Sequence, residues 1–159
     1  MAIRLICVGT LKERYWREAA DEYRKRLGKY CVLTIDEISE AKTPEKPSPA
    51  EETAAKDAEG REILRRVKDG DCVVALDARG AALSSEAFAE RLAALPHAGV
   101  SRIAFVIGGP LGLADAVRTR ADLCLSLSEM TFPHRMARVI LLEQLYRAFK
   151  ILRNEAYHK

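Results

Sequence analysis

Apolar residues along the chain fall into five short runs separated by stretches of helical spacing. Residues 3–8, IRLICV, form the first run and end at Gly9. Thr10 stands three residues before Glu13, the spacing of a capping box, and predicts a helix starting near Leu11. Within it Trp16, Ala19, Ala20, Tyr23 and Leu27 recur at helical spacing, and Gly28 supplies the stop. Residues 31–38, CVLTIDEI, read as a second strand, followed by a polar, proline-rich surface loop over 39–48. Ser48, Pro49 and Glu51 predict a capped helix running to about Lys68. Residues 72–76, CVVAL, are nearly all apolar, which suits a strand covered on both faces. Asp77-Ala78-Arg79-Gly80 is expected to turn the chain into a helix capped by Ser84, with Leu83 and Phe88 as a hydrophobic staple and an end near Pro96 and Gly99. Two more strands follow, 102–107 (RIAFVI) and 122–127 (DLCLSL), and Pro133 opens a last, very apolar helix to about Leu152. Strand and helix alternate with short connections. The expected fold is α/β, a mainly parallel sheet with helices on both faces, in a single domain over 1–159.

Composition changes this picture little. The chain has 159 residues, 31% of them charged, and a net charge of +3. That is an ordinary globular balance, and it does not by itself announce a nucleic-acid binder. Position says more: from Glu129 to Lys159 there are 6 basic and 3 acidic residues, a net +3 that equals the whole excess. Cys7, Cys31, Cys72 and Cys124 lie in apolar runs without metal-ligand or dithiol spacing, so they read as buried small hydrophobes. No apolar run reaches the roughly 20 residues of a membrane span. The short apolar start gives way at once to a charged helical pattern, unlike a signal peptide, and a cytoplasmic location is expected.

Ligands of open α/β sheets bind beyond the carboxyl ends of strands. Three such ends carry suggestive chemistry: Leu76-Asp77, Gly108-Gly109-Pro110-Leu111-Gly112, and Leu127 to Phe132. The glycine cluster lacks the lysine of a phosphate loop, and it reads equally as a tight turn or as the wall of a nucleotide or adenosyl pocket. The 127–132 loop offers backbone donors and the Glu129 carboxylate, although Ser128 or Thr131 also suits a helix cap. The last helix has an apolar face wider than one stripe, as expected of a helix packed on two sides. Arg147, Lys150 and Arg153 suit its negative end, whereas Arg135 and Arg138 sit at its positive end, where a phosphate or another anion would explain them. Tyr157 and His158 in the tail are types that a frayed terminus does not need: one can stack on a base, the other can move protons near neutral pH.

The segments ICVGTLKERYW, FVIGGPLG, LSLSEMTFPHRMARVILLEQLYRAFKI and RNEAYHK, together with the length, resemble the RlmH family of ribosomal RNA large-subunit pseudouridine N3-methyltransferases, within the SPOUT superfamily. The resemblance covers essentially the whole chain. It implies a C-terminal trefoil knot, over about 70–155 here, a homodimer, and S-adenosylmethionine as methyl donor with no metal. The implied donor pocket falls on Leu76, Gly108, Leu127, Ser128, Glu129, Met130, Thr131 and Phe132. The implied substrate is a pseudouridine of 23S rRNA, in the helix 69 loop of the assembled ribosome. Candidate roles on that reading are His158 for handling the N3 proton, Tyr157 for orienting or stacking the base, and Arg153 for steadying charge on the ring carbonyls. Arg135, Arg138, Arg147, Lys150 and Arg153 are candidates for meeting RNA. Two other readings stay open at this point: a non-catalytic ribosome assembly factor with an idle pocket, and a nucleotide-dependent enzyme of small-molecule metabolism.

Overall fold

A computed structural model describes residues 1–157. Its elements are β1 (Ala2–Val8), α1 (Arg14–Leu27), β2 (Val32–Ile38), α2 (Pro49–Arg66), β3 (Cys72–Ala82), α3 (Ser85–His97), β4 (Arg102–Ile107), α4 (Asp115–Arg120), β5 (Leu123–Ser126) and α5 (His134–Leu152). The strands form one sheet in the order β2-β1-β4-β3-β5, every neighbouring pair parallel. Among the described residues no helix is long and apolar enough to cross a membrane.

The period-2 alternation of the strands splits the core in two. Ile3, Leu5 and Cys7 of β1 with Ile103, Phe105 and Ile107 of β4 point to one face, where Leu27 of α1, Phe88, Ala89 and Leu92 of α3, and Leu141, Leu142 and Leu145 of α5 cover them. Ile6 and Val8 with Ala104 and Val106 point to the other, against Ile63 of α2 and Val117 of α4. The central strands are therefore buried on both sides, as their unbroken apolar runs require. β4 has all five residues from Ile103 to Ile107 buried.

Local signals set several boundaries. Ser48 accepts the Glu51 N–H while the Glu51 carboxylate accepts the Ser48 N–H, a complete capping box with Pro49 in the first turn. The Ser84 hydroxyl accepts the Ala87 N–H and opens α3. Three expectations need correction. α1 begins at Arg14 rather than near Leu11, with Glu13 as its cap and no side-chain cap bond, so Thr10 closes nothing. Residues 77–80 do not end the third strand. Leu76 and Ala81 are both registered on Leu125, so the four residues between them bulge out and β3 resumes to Ala82. Gly80 permits this, because a Cβ there would lie 2.5 Å from the Cys124 carbonyl carbon and oxygen. Finally, the short helix α4 was not expected. Its six residues carry too few apolar positions to show a period.

Candidate active site

β3, β4 and β5 lie side by side and end at the same edge of the sheet. A cavity of about 630 Å³ opens there. This is within the range of small-molecule sites, about 300–1,000 Å³. Its floor is Leu76, Ile107 and Leu125. The glycine loop (Gly108, Gly109, Pro110, Gly112) and Leu113 form one wall, and Leu127, Ser128 and Met130 to Pro133 with the first turn of α5 form the other. The centre is apolar and the rim is backbone. Gly108 is buried, and a Cβ on it would meet Gly112 carbonyl atoms at 2.9 Å and Leu113 Cδ2 at 3.0 Å. The glycine loop is thus both a tight turn and a wall: Gly112 adopts φ +86° and its N–H donates to the Gly109 carbonyl at 3.0 Å. The opposite loop braces itself, with the Ser126 hydroxyl donating to the Ser128 carbonyl (2.9 Å) and the Met130 N–H donating to the Ser128 hydroxyl (3.0 Å).

Of the residues singled out as donor pocket, Leu76, Gly108, Leu127, Ser128, Met130, Thr131 and Phe132 line this cavity. Glu129 is exposed and is not among the lining residues. Two side chains in the lining are titratable and were not singled out as ligands: Asp77 and His134. Asp77 is committed inside the protein. Burial opposes its ionisation, but the Arg118 guanidinium hydrogen-bonded to it and the Arg79 N–H hold its carboxyl below the usual range. No sequence spacing announces that pair, which lies 41 residues apart.

The basic residues at the start of α5 have protein partners, which corrects the expectation that they await an anion. Arg138 is 3% exposed and donates to Glu37 Oε1 at 2.5 Å and to the Gly9 carbonyl at 2.8 Å. Arg135 donates to Glu13 at 2.6 Å. At the other end Arg147 binds Glu143, Lys150 binds Glu155, and the exposed Arg153 lies over the Tyr30 ring at 4.6 Å. Tyr157 donates to Glu143 at 3.1 Å and packs edge-on against Tyr146. Neither Arg153 nor Tyr157 lines the cavity. Arg153 is about 24 Å further along the helix axis than Ala137, from a rise of 1.5 Å per residue. His158 lies outside the described residues.

A parallel sheet with an apolar, backbone-rimmed cavity at three adjacent strand ends defines an α/β protein with a small-molecule site at the carboxyl edge of its sheet. Comparison with known proteins narrows the class. A family model described as "Predicted SPOUT methyltransferase" matches residues 1–158. A Clostridium acetobutylicum protein named ribosomal RNA large subunit methyltransferase H is 54% identical over 159 residues, the full length of both chains. One of the same name from Clostridium botulinum is 51% identical over the same span. Among solved structures, a probable methylase family protein from Haemophilus influenzae superposes with a TM-score of 0.56 at 19% identity, over 99% of this chain and 70% of that one. A putative methyltransferase from Legionella pneumophila, solved with bound cofactor SAM, gives 0.52 at 14% identity, over 94% and 66%. The chain belongs to the SPOUT methyltransferases and, within them, to the RlmH family.

Proposed function

We propose that this protein transfers a methyl group from S-adenosylmethionine to N3 of a pseudouridine in 23S rRNA, in the helix 69 loop of the assembled ribosome, working as a cytoplasmic homodimer without a metal. The observation that carries the reading is the convergence of Leu76, Gly108 and the 127–132 loop on one cavity, in a chain matched end to end by proteins named as ribosomal RNA methyltransferases.

The lining fits the donor. Leu76, Ile107, Leu113, Leu125, Leu127 and Phe132 would hold an adenine between apolar side chains, and the glycine and serine loops would supply backbone donors and acceptors to it. Bound S-adenosylmethionine supplies a methyl carbon already activated by a sulfonium. The chain's own residues then have to orient the base, exclude water and remove the N3 proton, because a protonated imide nitrogen has no lone pair to offer. Arg153, Tyr157 and His158 are proposed to carry the tail's share of that work. The distance of Arg153 from its own cavity favours delivery of the tail to the cavity of a second copy. Exposed apolar residues near the cavity, such as Met130 at 75% exposure, support a second copy docking on this side. We read 70–155 as the family's trefoil knot. With the basic residues of α5 engaged internally, exposed Lys12, Arg24, Lys25 and Lys29 on and around α1 are proposed as phosphate contacts.

Methyl transfer measured on assembled ribosomes, separated large subunits and naked rRNA tests the proposal. Transfer is expected on ribosomes and to vanish when the target carries uridine in place of pseudouridine. Equal transfer to naked rRNA would overturn the assembled-ribosome reading, and no transfer to any of them would overturn the enzyme.

A further inference from the structure

The cavity contains a histidine that the tail-based mechanism does not use. His134 is the first residue of α5 and lines the cavity beside Phe132 and Ala137. Its Nε2 is buried, makes no hydrogen bond, and lies 3.4 Å from Glu40 Oε1. The pair closes over Gly9, where a Cβ would lie 2.6 Å from that carboxylate oxygen and 3.3 Å from Nε2. Glu40 stands at the foot of the loop after β2, and the next residue pins that foot: the Ala41 N–H donates to Glu59 Oε1 at 2.9 Å. Among the described residues, the buried side-chain polar atoms without a partner are Glu13 Oε2, His134 Nε2 and Arg135 Nε. All three gather at the start of α5. Buried polar atoms are normally satisfied, and those left over tend to mark functional positions.

We propose that His134, backed by Glu40, is the base that takes the N3 proton during methyl transfer; the inference rests on the methyltransferase reading above. The arrangement is a carboxylate–histidine dyad with one ring nitrogen toward the carboxylate. A proton on Nε2, 3.4 Å from the Glu40 carboxylate, leaves Nδ1 free to accept another. In the step, the N3–H bond breaks and its electron pair forms the bond from N3 to the methyl carbon. The carbon–sulfur bond breaks with its pair returning to sulfur. The proton passes to Nδ1, and the resulting imidazolium faces the Glu40 carboxylate before releasing the proton to solvent. The groups around the ring set its resting state. Burial lowers the His134 pKa below its ordinary value, Glu40 opposes this, Arg135 and Arg138 add to the lowering, and Glu13 opposes it. The ring is therefore neutral at pH 7 and ready to accept.

The test compares the wild-type protein with His134→Asn, Glu40→Gln and His158→Asn variants in three measurements: histidine nitrogen NMR against pH without ligand, calorimetry with S-adenosylmethionine, and single-turnover methylation of ribosomes against pH. In the wild type one histidine resonance, absent from H134N, is expected to titrate below pH 6.5, and lower still in E40Q. H134N is expected to bind S-adenosylmethionine within threefold of wild type. Its methylation at pH 7 is expected to be slower by on the order of 10²-fold or more and to climb with pH without a plateau. E40Q is expected to fall in between. An H134N variant as fast as wild type, with the same pH profile, would overturn the proposal. A loss of cofactor binding in H134N would also overturn it, making His134 a pocket wall, and so would a slow, hydroxide-dependent profile confined to H158N. A wild-type protein that methylates no ribosome defeats the functional reading itself, whereas an active wild type matched by an active H134N defeats the dyad alone.

Discussion

A Gly108→Val variant is expected to lose affinity for S-adenosylmethionine by about 10- to 100-fold, the equivalent of the roughly 1–3 kcal/mol that overpacking costs. Gly108 is the point where β4 ends and the glycine loop turns back on itself. Its missing Cβ leaves room for the carbonyl group of Gly112, at 2.9 Å, and for Leu113 at 3.0 Å. Two of those three contacts are backbone atoms, so no side-chain rotation relieves the clash. Strand β4 is buried from Ile103 to Ile107 and cannot yield. The strain therefore falls on the loop, which is one wall of the cavity. Calorimetric titration checks this, with circular dichroism to show that the sheet survives. Wild-type affinity in a folded G108V protein would mean that the glycine wall does not contact the donor.

The second large effect is on stability. Arg138 ties α5 to the ends of β1 and β2 through Glu37 and the Gly9 carbonyl. Removing one partner of a buried pair commonly costs about 3–5 kcal/mol, because the other charge stays buried and unpaired. Glu37 is itself 38% exposed, so water relieves part of this. A Glu37→Ala variant is expected to lose about 2–3 kcal/mol, seen as a fall in Tm of roughly 5–10 °C. Arg138→Met removes the buried charge as well and fills its space. It leaves the Gly9 carbonyl unpaired and the Glu37 carboxylate, 38% exposed, to water, with an expected loss of about 1–2 kcal/mol. Denaturant titration of the two variants checks the order. An E37A protein as stable as wild type would show that the Arg138 charge is solvated in some other way.

The order of these two effects could not be read from the sequence, and the reason is general to this fold. Strands such as RIAFVI and helices such as α5 were legible because burial on both faces, or a proline entry and a long apolar face, leaves a strong local pattern. The same holds for Ser48-Pro49-Glu51 and for Ser84. The three strand ends that line the cavity were legible too, since parallel α/β order places carboxyl ends together. What escaped depended on pairs distant along the chain. Glu37 and Arg138 are 101 residues apart, and Gly9 and Arg138 are 129 apart. Arg135 and Arg138 therefore looked like an anion site when they were already neutralised. The bulge at 77–80 looked like a turn because its cause, the close approach of Gly80 to Cys124, lies on another strand. His134 draws no attention in the sequence, since nothing local announces Glu40.

If the cavity of one chain is completed by the tail of another, mixed dimers of cavity and tail variants regain activity. G108V chains keep the tail but bind the donor weakly, and an R153A/Y157A/H158A variant keeps the cavity but loses the tail. With S-adenosylmethionine held near the wild-type Kd, each homodimer is expected to be nearly inactive. After unfolding and refolding an equal mixture, random pairing is expected to restore about a quarter of wild-type methyl transfer, since half the dimers would each hold one complete site of two. No recovery in mixtures shown to contain heterodimers would contradict the claim and place cavity and tail in the same chain.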